Sequence, residues 1–104
     1  MSIQNTVLTT SPGNILVGSG TLGTATSTIY FCNRNGTATT FNLYVVPAGF
    51  TANANNIVYS NKVVASNDTY IADIEKIYLG NGDTLQASAN TGNAIVATVS
   101  SIGI

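Results

Sequence analysis

Asp73, Glu75, Lys76 and Asp83, most of the few charged residues in this chain, fall within one short stretch, "DIEKIYLGNGD", residues 73–83. Asp73 and Glu75 stand two apart, so a strand would point both carboxylates to the same face, the minimum arrangement for acid–base work. Such a pair works when its surroundings push the two pKa values apart. Here Lys76 is adjacent, the chain has no histidine, and no further base lies within sequence reach. The spacing reads as the solvated outer face of a strand.

The segment "LGNGDTLQ" has the look of one turn of a glycine-rich calcium repeat, G-G-x-G-x-D-x-L-x, but its Asp comes one place early and the motif occurs once. Stacked neighbouring repeats are needed to complete an oxygen cage around calcium. Asp83, following Asn81-Gly82, is better explained as a turn residue that bonds its own backbone. Zinc needs several Cys or His ligands, and the chain offers Cys32 alone. Cys32 lies in an apolar strand and reads as a small buried hydrophobe with no partner for an internal disulfide. No G-x-S-x-G elbow and no phosphate-binding glycine loop leading into a helix is present. Asn35-Gly36-Thr37 and Asn67-Asp68-Thr69 match the glycosylation sequon by chance composition. Tyr30, Phe31, Tyr44, Tyr59, Tyr70 and Tyr78 could stack on a sugar, but they sit mainly within strands, where packing explains them. No catalytic, cofactor-binding or metal residue is assigned, and enzyme is the class the residues support least.

The elements that carry these residues are strands. Helix formers such as Glu, Lys, Arg and Gln are scarce and β-branched residues are dense. In "TTFNLYVV" Phe41, Leu43 and Val45 alternate with Thr40, Asn42 and Tyr44. Leu85, Ala87 and Ala89 do the same in "TLQASA", as do Ile95, Ala97 and Val99 in "AIVATVS". One apolar face at period two means half-buried antiparallel strands. The pattern predicts strands near 3–9, 14–18, 25–32, 37–46, 56–65, 68–74, 76–79, 83–89 and 94–101. "NRNG" (33–36), "GNGD" (80–83) and "NTGN" (90–93) are read as hairpin turns, because Asn and Gly tolerate positive φ. Pro47 ends the long strand. Residues 48–56 form a loop that caps one end or carries a helical turn. Short strands, frequent turns and no helix predict an all-β fold, a single antiparallel β-sandwich of jelly-roll type. Residues 1–24 are expected to form a flexible N-terminal arm or edge strands, with 10–24 the mobile part, and 25–104 the sandwich. The expected core is Ile29, Phe31, Phe41, Leu43, Val45, Leu85, Ala87, Ile95, Ala97 and Val99.

At 104 residues the chain makes one domain. Only 7% of its residues are charged, against about 25% in an ordinary soluble domain, and the net charge is −1. Its polar surface must be built from Thr, Ser and Asn. Arg34, Lys62 and Lys76 are too few for a phosphate-binding patch, so nucleic acid is not an expected partner. Apolar runs such as "LYVVPAGF" are far too short to span a bilayer, and "MSIQNTVLTT" has no positive n-region or long apolar h-region, so neither membrane nor secretion is expected. Near-zero net charge is unusual for a freely diffusing protein and suggests life inside an assembly.

The pieces "IYFCNRNGTATTFNLYVVPAG", "NDTYIADIEKIYLGNGDTLQASAN" and "AIVATVS" resemble small proteins or terminal domains of tailed-bacteriophage virions, particularly those of aquatic and cyanobacterial hosts. In that group an N-x-N-G-type turn and an x-x-Y-x-V-P-x-G segment precede a "GD-x-L-x-A" hairpin and a closing V-x-V-S strand. The resemblance covers about three quarters of the chain and implies a virion structural or accessory β-sandwich, made in the host cytoplasm. Two roles follow. One is a capsid decoration or cement protein bridging major capsid subunits, as a homotrimer on the three-fold positions of the shell. The other is a tail, neck or fibre component, with a receptor- or carbohydrate-binding module. The absence of a repeated shaft or heptads favours the first. The 1–24 segment is then expected to matter more for attachment than for folding.

Overall fold

The structure, a computed structural model, describes residues 2–72 and 77–103. They form strands β1 (Ser2–Val7), β2 (Gly13–Val17), β3 (Thr24–Asn33), β4 (Thr39–Val46), β5 (Ile57–Val64), β6 (Thr69–Ala72), β7 (Tyr78–Leu79), β8 (Thr84–Ala89) and β9 (Ile95–Gly103). The first sheet runs β1-β9-β3-β6, with β7 also paired to β3, and the second runs β2-β8-β4-β5. All pairs are antiparallel. Counted inward from the two ends, β1 pairs β9, β2 pairs β8, β3 pairs β7 and β6, and β4 pairs β5. This is one long antiparallel ribbon rolled onto itself and closed by the β3–β9 and β4–β8 pairs, the jelly-roll solution to hiding sheet edges.

The roll decides what the turns do. Apart from the β4–β5 loop and the β6–β7 stretch, every connection passes from one sheet to the other. "NRNG", "GNGD" and "NTGN" are therefore arches across the sandwich and not the hairpins that their Asn-Gly chemistry predicts. The chain reverses in either case, with positive φ at Gly82 and Asn93 in two of the three arches, and the local sequence does not say which sheet receives it. Residues 48–56 contain turns and no helix.

Alternation places the core where expected. Ile29 and Phe31 from one sheet meet Phe41, Leu43, Leu85 and Ala87 from the other, and Ile95, Ala97 and Val99 complete the inner face. Val45 is the exception. It is only partly buried, at the strand end where the loop begins, while Val46 is the fully buried residue. The core also includes Leu8, Ile15, Leu16, Val64, Ala72 and Leu79. Ile15 and Leu16 are consecutive, and a bulge between Asn14 and Leu16 turns both inward. Two more register shifts lie on the β5 edge, where Asn61 adopts φ 52° beside one of them. Such irregularities discourage an edge strand from pairing with other chains.

β1 and β2 are edge strands, one in each sheet, and Leu8, Ile15 and Leu16 from this segment are core. Residues 1–24 therefore contribute strands and core side chains to the fold itself. Deleting them should abolish the cooperative unfolding transition in urea. Leu43→Ala or Leu85→Ala, each removing a side chain with no solvent exposure, should lower the unfolding free energy by about 2–5 kcal/mol in the same measurement.

Candidate functional site

Asp73, Glu75 and Lys76 lie outside the described residues. Asp83 is half-buried, and its carboxylate is committed to the backbone. Oδ2 accepts the Gly80 N–H at 2.9 Å and Oδ1 accepts the Ala48 N–H at 2.8 Å. The Asp83 N–H returns to the Gly80 carbonyl at 3.1 Å, closing the turn. The β2–β3 loop docks on the same turn, with the Gly18 N–H donating to the Asp83 carbonyl at 2.7 Å and the Gly82 N–H to the Gly18 carbonyl at 3.0 Å. A Cβ on Gly18 would collide with the Gly80 carbonyl and Leu79, and one on Gly23, at φ +92°, with the Leu79 carbonyl. Only glycine allows backbone to approach this closely. Asp83 thus fastens three loops at one end of the sandwich. The reading of Asp83 as a turn residue captures its bond to Gly80; its reach to Ala48 was invisible because that contact spans the roll.

The opposite end has its own fastening, which sequence reading missed. Asn33 is completely buried at the end of β3. Its Nδ2 donates to the carbonyls of Thr37 at 2.9 Å and Val64 at 3.0 Å, and its Oδ1 accepts the Asn35 N–H at 3.0 Å. Arg34 adds a backbone bond to Ala94 at 3.0 Å and an Nε bond to the Asn93 carbonyl at 3.2 Å. The signal available was the Asn before Arg-Asn-Gly, but a buried role cannot be told from a turn role by residue type.

Cys32 is exposed, contrary to expectation. With Ile29 and Phe31 facing the core, strand parity sends Tyr30 and Cys32 outward. The sequons are in loops, with Asn35 and Asn67 both exposed. The aromatic residues do not share one plane. Phe31 and Phe41 stack across the core with centroids 3.9 Å apart and planes 15° apart. Tyr59 and Tyr70 meet edge-on at 5.6 Å and lean on Phe41, filling the gap between β5 and β6. Lys62 Nζ sits 4.9 Å from the Tyr70 ring centroid. Tyr44 projects from the outer side of the second sheet, opposite in phase to Leu43. Phe31, Phe41, Tyr59 and Tyr70 thus pack on one another, whereas Tyr30 and Tyr78 are exposed.

The remaining candidate is surface. The strands of the first sheet carry no charged residue at all among the described residues. Their outward positions include Ile3, Val7, Tyr30, Ile71, Tyr78 and Ile102, all exposed. The middle of the second sheet is polar on its outer side. There Asn42 Nδ2 donates to Ser88 Oγ at 3.3 Å and Gln86 Nε2 to Thr84 Oγ1 at 3.1 Å. Among the described residues no group of three or more His, Cys, Asp or Glu side chains is placed to hold a metal ion. Compared with family models, curated proteins and solved structures, the chain matches none.

Two outcomes follow. Thermal melts in EDTA and in millimolar calcium should superimpose, since the Asp83 oxygens already hold N–H donors; stabilisation by several degrees in calcium would reinstate a metal role for this stretch. Asn33→Ala should cost on the order of 2–4 kcal/mol in urea unfolding, because it leaves the Val64 carbonyl, whose bond is buried, and the partly buried Thr37 carbonyl and Asn35 N–H without their partner.

Proposed function

We propose that this protein is a non-enzymatic building block of a tailed-phage virion, a decoration or cement protein that bridges neighbouring subunits of the major capsid protein from outside as a homotrimer. The observation that carries the proposal is the near absence of charge on a folded surface made of hydroxyls, amides and apolar groups. Such a surface can be covered by a partner with little charge desolvation, and apolar contact contributes about 25 cal/mol per Å² before ordering costs are subtracted. Affinity then comes from shape, hydrogen bonds and avidity over several subunits. The jelly roll is a frequent architecture of capsid proteins, which supports the reading by analogy of fold alone.

A tail, neck or fibre component, with a receptor- or carbohydrate-binding module, is the second reading. The exposed Leu22 and Phe50 favour it, at 72% and 69% of their full exposure, on loops that gather at the Asp83 end. Loops at the end of a rigid sandwich are common recognition sites.

Cosedimentation with empty shells that lack the protein tests the first reading. Binding should be retained from low to high salt, because few charges take part. Failure to bind such shells, together with recovery on isolated tails, would transfer the proposal to the second reading.

A further inference from the structure

We propose that the outer face of the β1-β9-β3-β6 sheet is the surface through which copies of this chain pack against one another. This deepens the oligomeric part of the reading above and rests on it. The register aligns the outward side chains in rows. Val7, Val96, Cys32 and Thr69 form one row, and Asn5, Thr98, Tyr30 and Ile71 the next. Ile3 stands opposite Ser100, while Ile102 and Tyr78 flank Ala25. Of the eleven exposed large hydrophobic side chains among the described residues, six project here, so the exposure is concentrated on one face. Within the face, Thr98 Oγ1 donates to Asn5 Oδ1 at 2.8 Å, which meets part of the polar demand of the face.

The described charged side chains all lie elsewhere. Arg34 and Asp68 are in loops at one end, Asp83 is in a loop at the other, and Lys62 is on β5 of the second sheet. This identifies the occupant as a second copy. A foreign partner is usually selected by complementary charge, and none of the described residues of this face supplies one. Between two copies, the described residues of the face bring no like charges together. The six side chains alone expose on the order of 500 Å², at the upper range of what monomers leave in one apolar patch. With the intervening Val96, Thr98, Ser100, Cys32 and Thr69 the face approaches the ~800 Å² per partner of a standard interface. In a trimer three such faces turn toward the axis.

Cys32 lies inside one of the rows and reports on coverage. Light scattering on the eluting protein should give a multiple of the 10.7 kDa chain mass, and a maleimide should label Cys32 at least tenfold more slowly than it labels the unfolded chain. Ile71→Lys and Ile3→Lys, both at exposed positions, should give monomers that still unfold cooperatively and label rapidly. Val63→Lys, exposed on the edge of the other sheet, should leave the oligomer and the slow labelling unchanged. A wild-type monomer with a freely reactive Cys32 overturns the proposal. So does an oligomer that survives both lysine substitutions, or one that Val63→Lys alone disrupts. Shell cosedimentation of the wild type separates the two claims. A monomer that binds shells refutes the self-packing face and leaves attachment standing, whereas an oligomer with slow labelling that binds none refutes attachment and leaves the face.

Discussion

The buried amide of Asn33 is the constraint on which the architecture depends. Asn-Gly at positions 35 and 36 favours a tight local hairpin, which would keep β3 and β4 in one sheet. Asn33 instead spends both donors on Thr37 and Val64 and its acceptor on Asn35, so the chain leaves the first sheet and enters the second. A polar side chain with no solvent exposure is tolerated only when its bonds are made. Those bonds exist only when β5 lies beneath the arch, which ties a local turn to a distant strand. Phe31 and Phe41, on either side of the arch, are then brought face to face in the middle of the sandwich. At the other end the Asp83 carboxylate does the same for the 47–56 loop. Two polar residues thus fasten the two ends of the roll.

The inner faces of the strands were legible because burial on one side of a strand imposes period two, and Phe41, Leu43, Leu85, Ala97 and Val99 obey it. The pattern fails where the backbone departs from the regular pleat. At β2 a bulge buries Ile15 and Leu16 together, which strict alternation along a strand does not allow. Cys32 was misplaced because residue type outweighed parity, although Phe31 beside it fixed the outward direction. Turn residues showed where the chain reverses and not into which sheet, since that choice is made by contacts such as Asn33 to Val64, thirty-one positions away. The same non-locality hid the link from Asp83 to Ala48. Of the surface, the sequence showed that charge is scarce; only the register shows that an entire sheet lacks it among the described residues.

A sandwich with this distribution of polar groups is suited to being covered. Charged surfaces resist burial because each ion must be paired or desolvated, whereas hydroxyls and amides can exchange water for a partner at modest cost. The two sheets offer different surfaces for doing so. The first presents isoleucine, valine and tyrosine, while the middle of the second presents threonine, asparagine, glutamine and serine already bonded to one another. An assembly protein that meets its own copies on one side and a different partner elsewhere has use for such an asymmetry.

The central claim, that this chain is a structural component spread over a phage shell, is tested most directly by its copy number in purified particles, measured by quantitative mass spectrometry against the major capsid protein. The account predicts a copy number comparable with that of the shell subunit. A chain absent from the particles, or present only at the low copy number of a tail part, would contradict it.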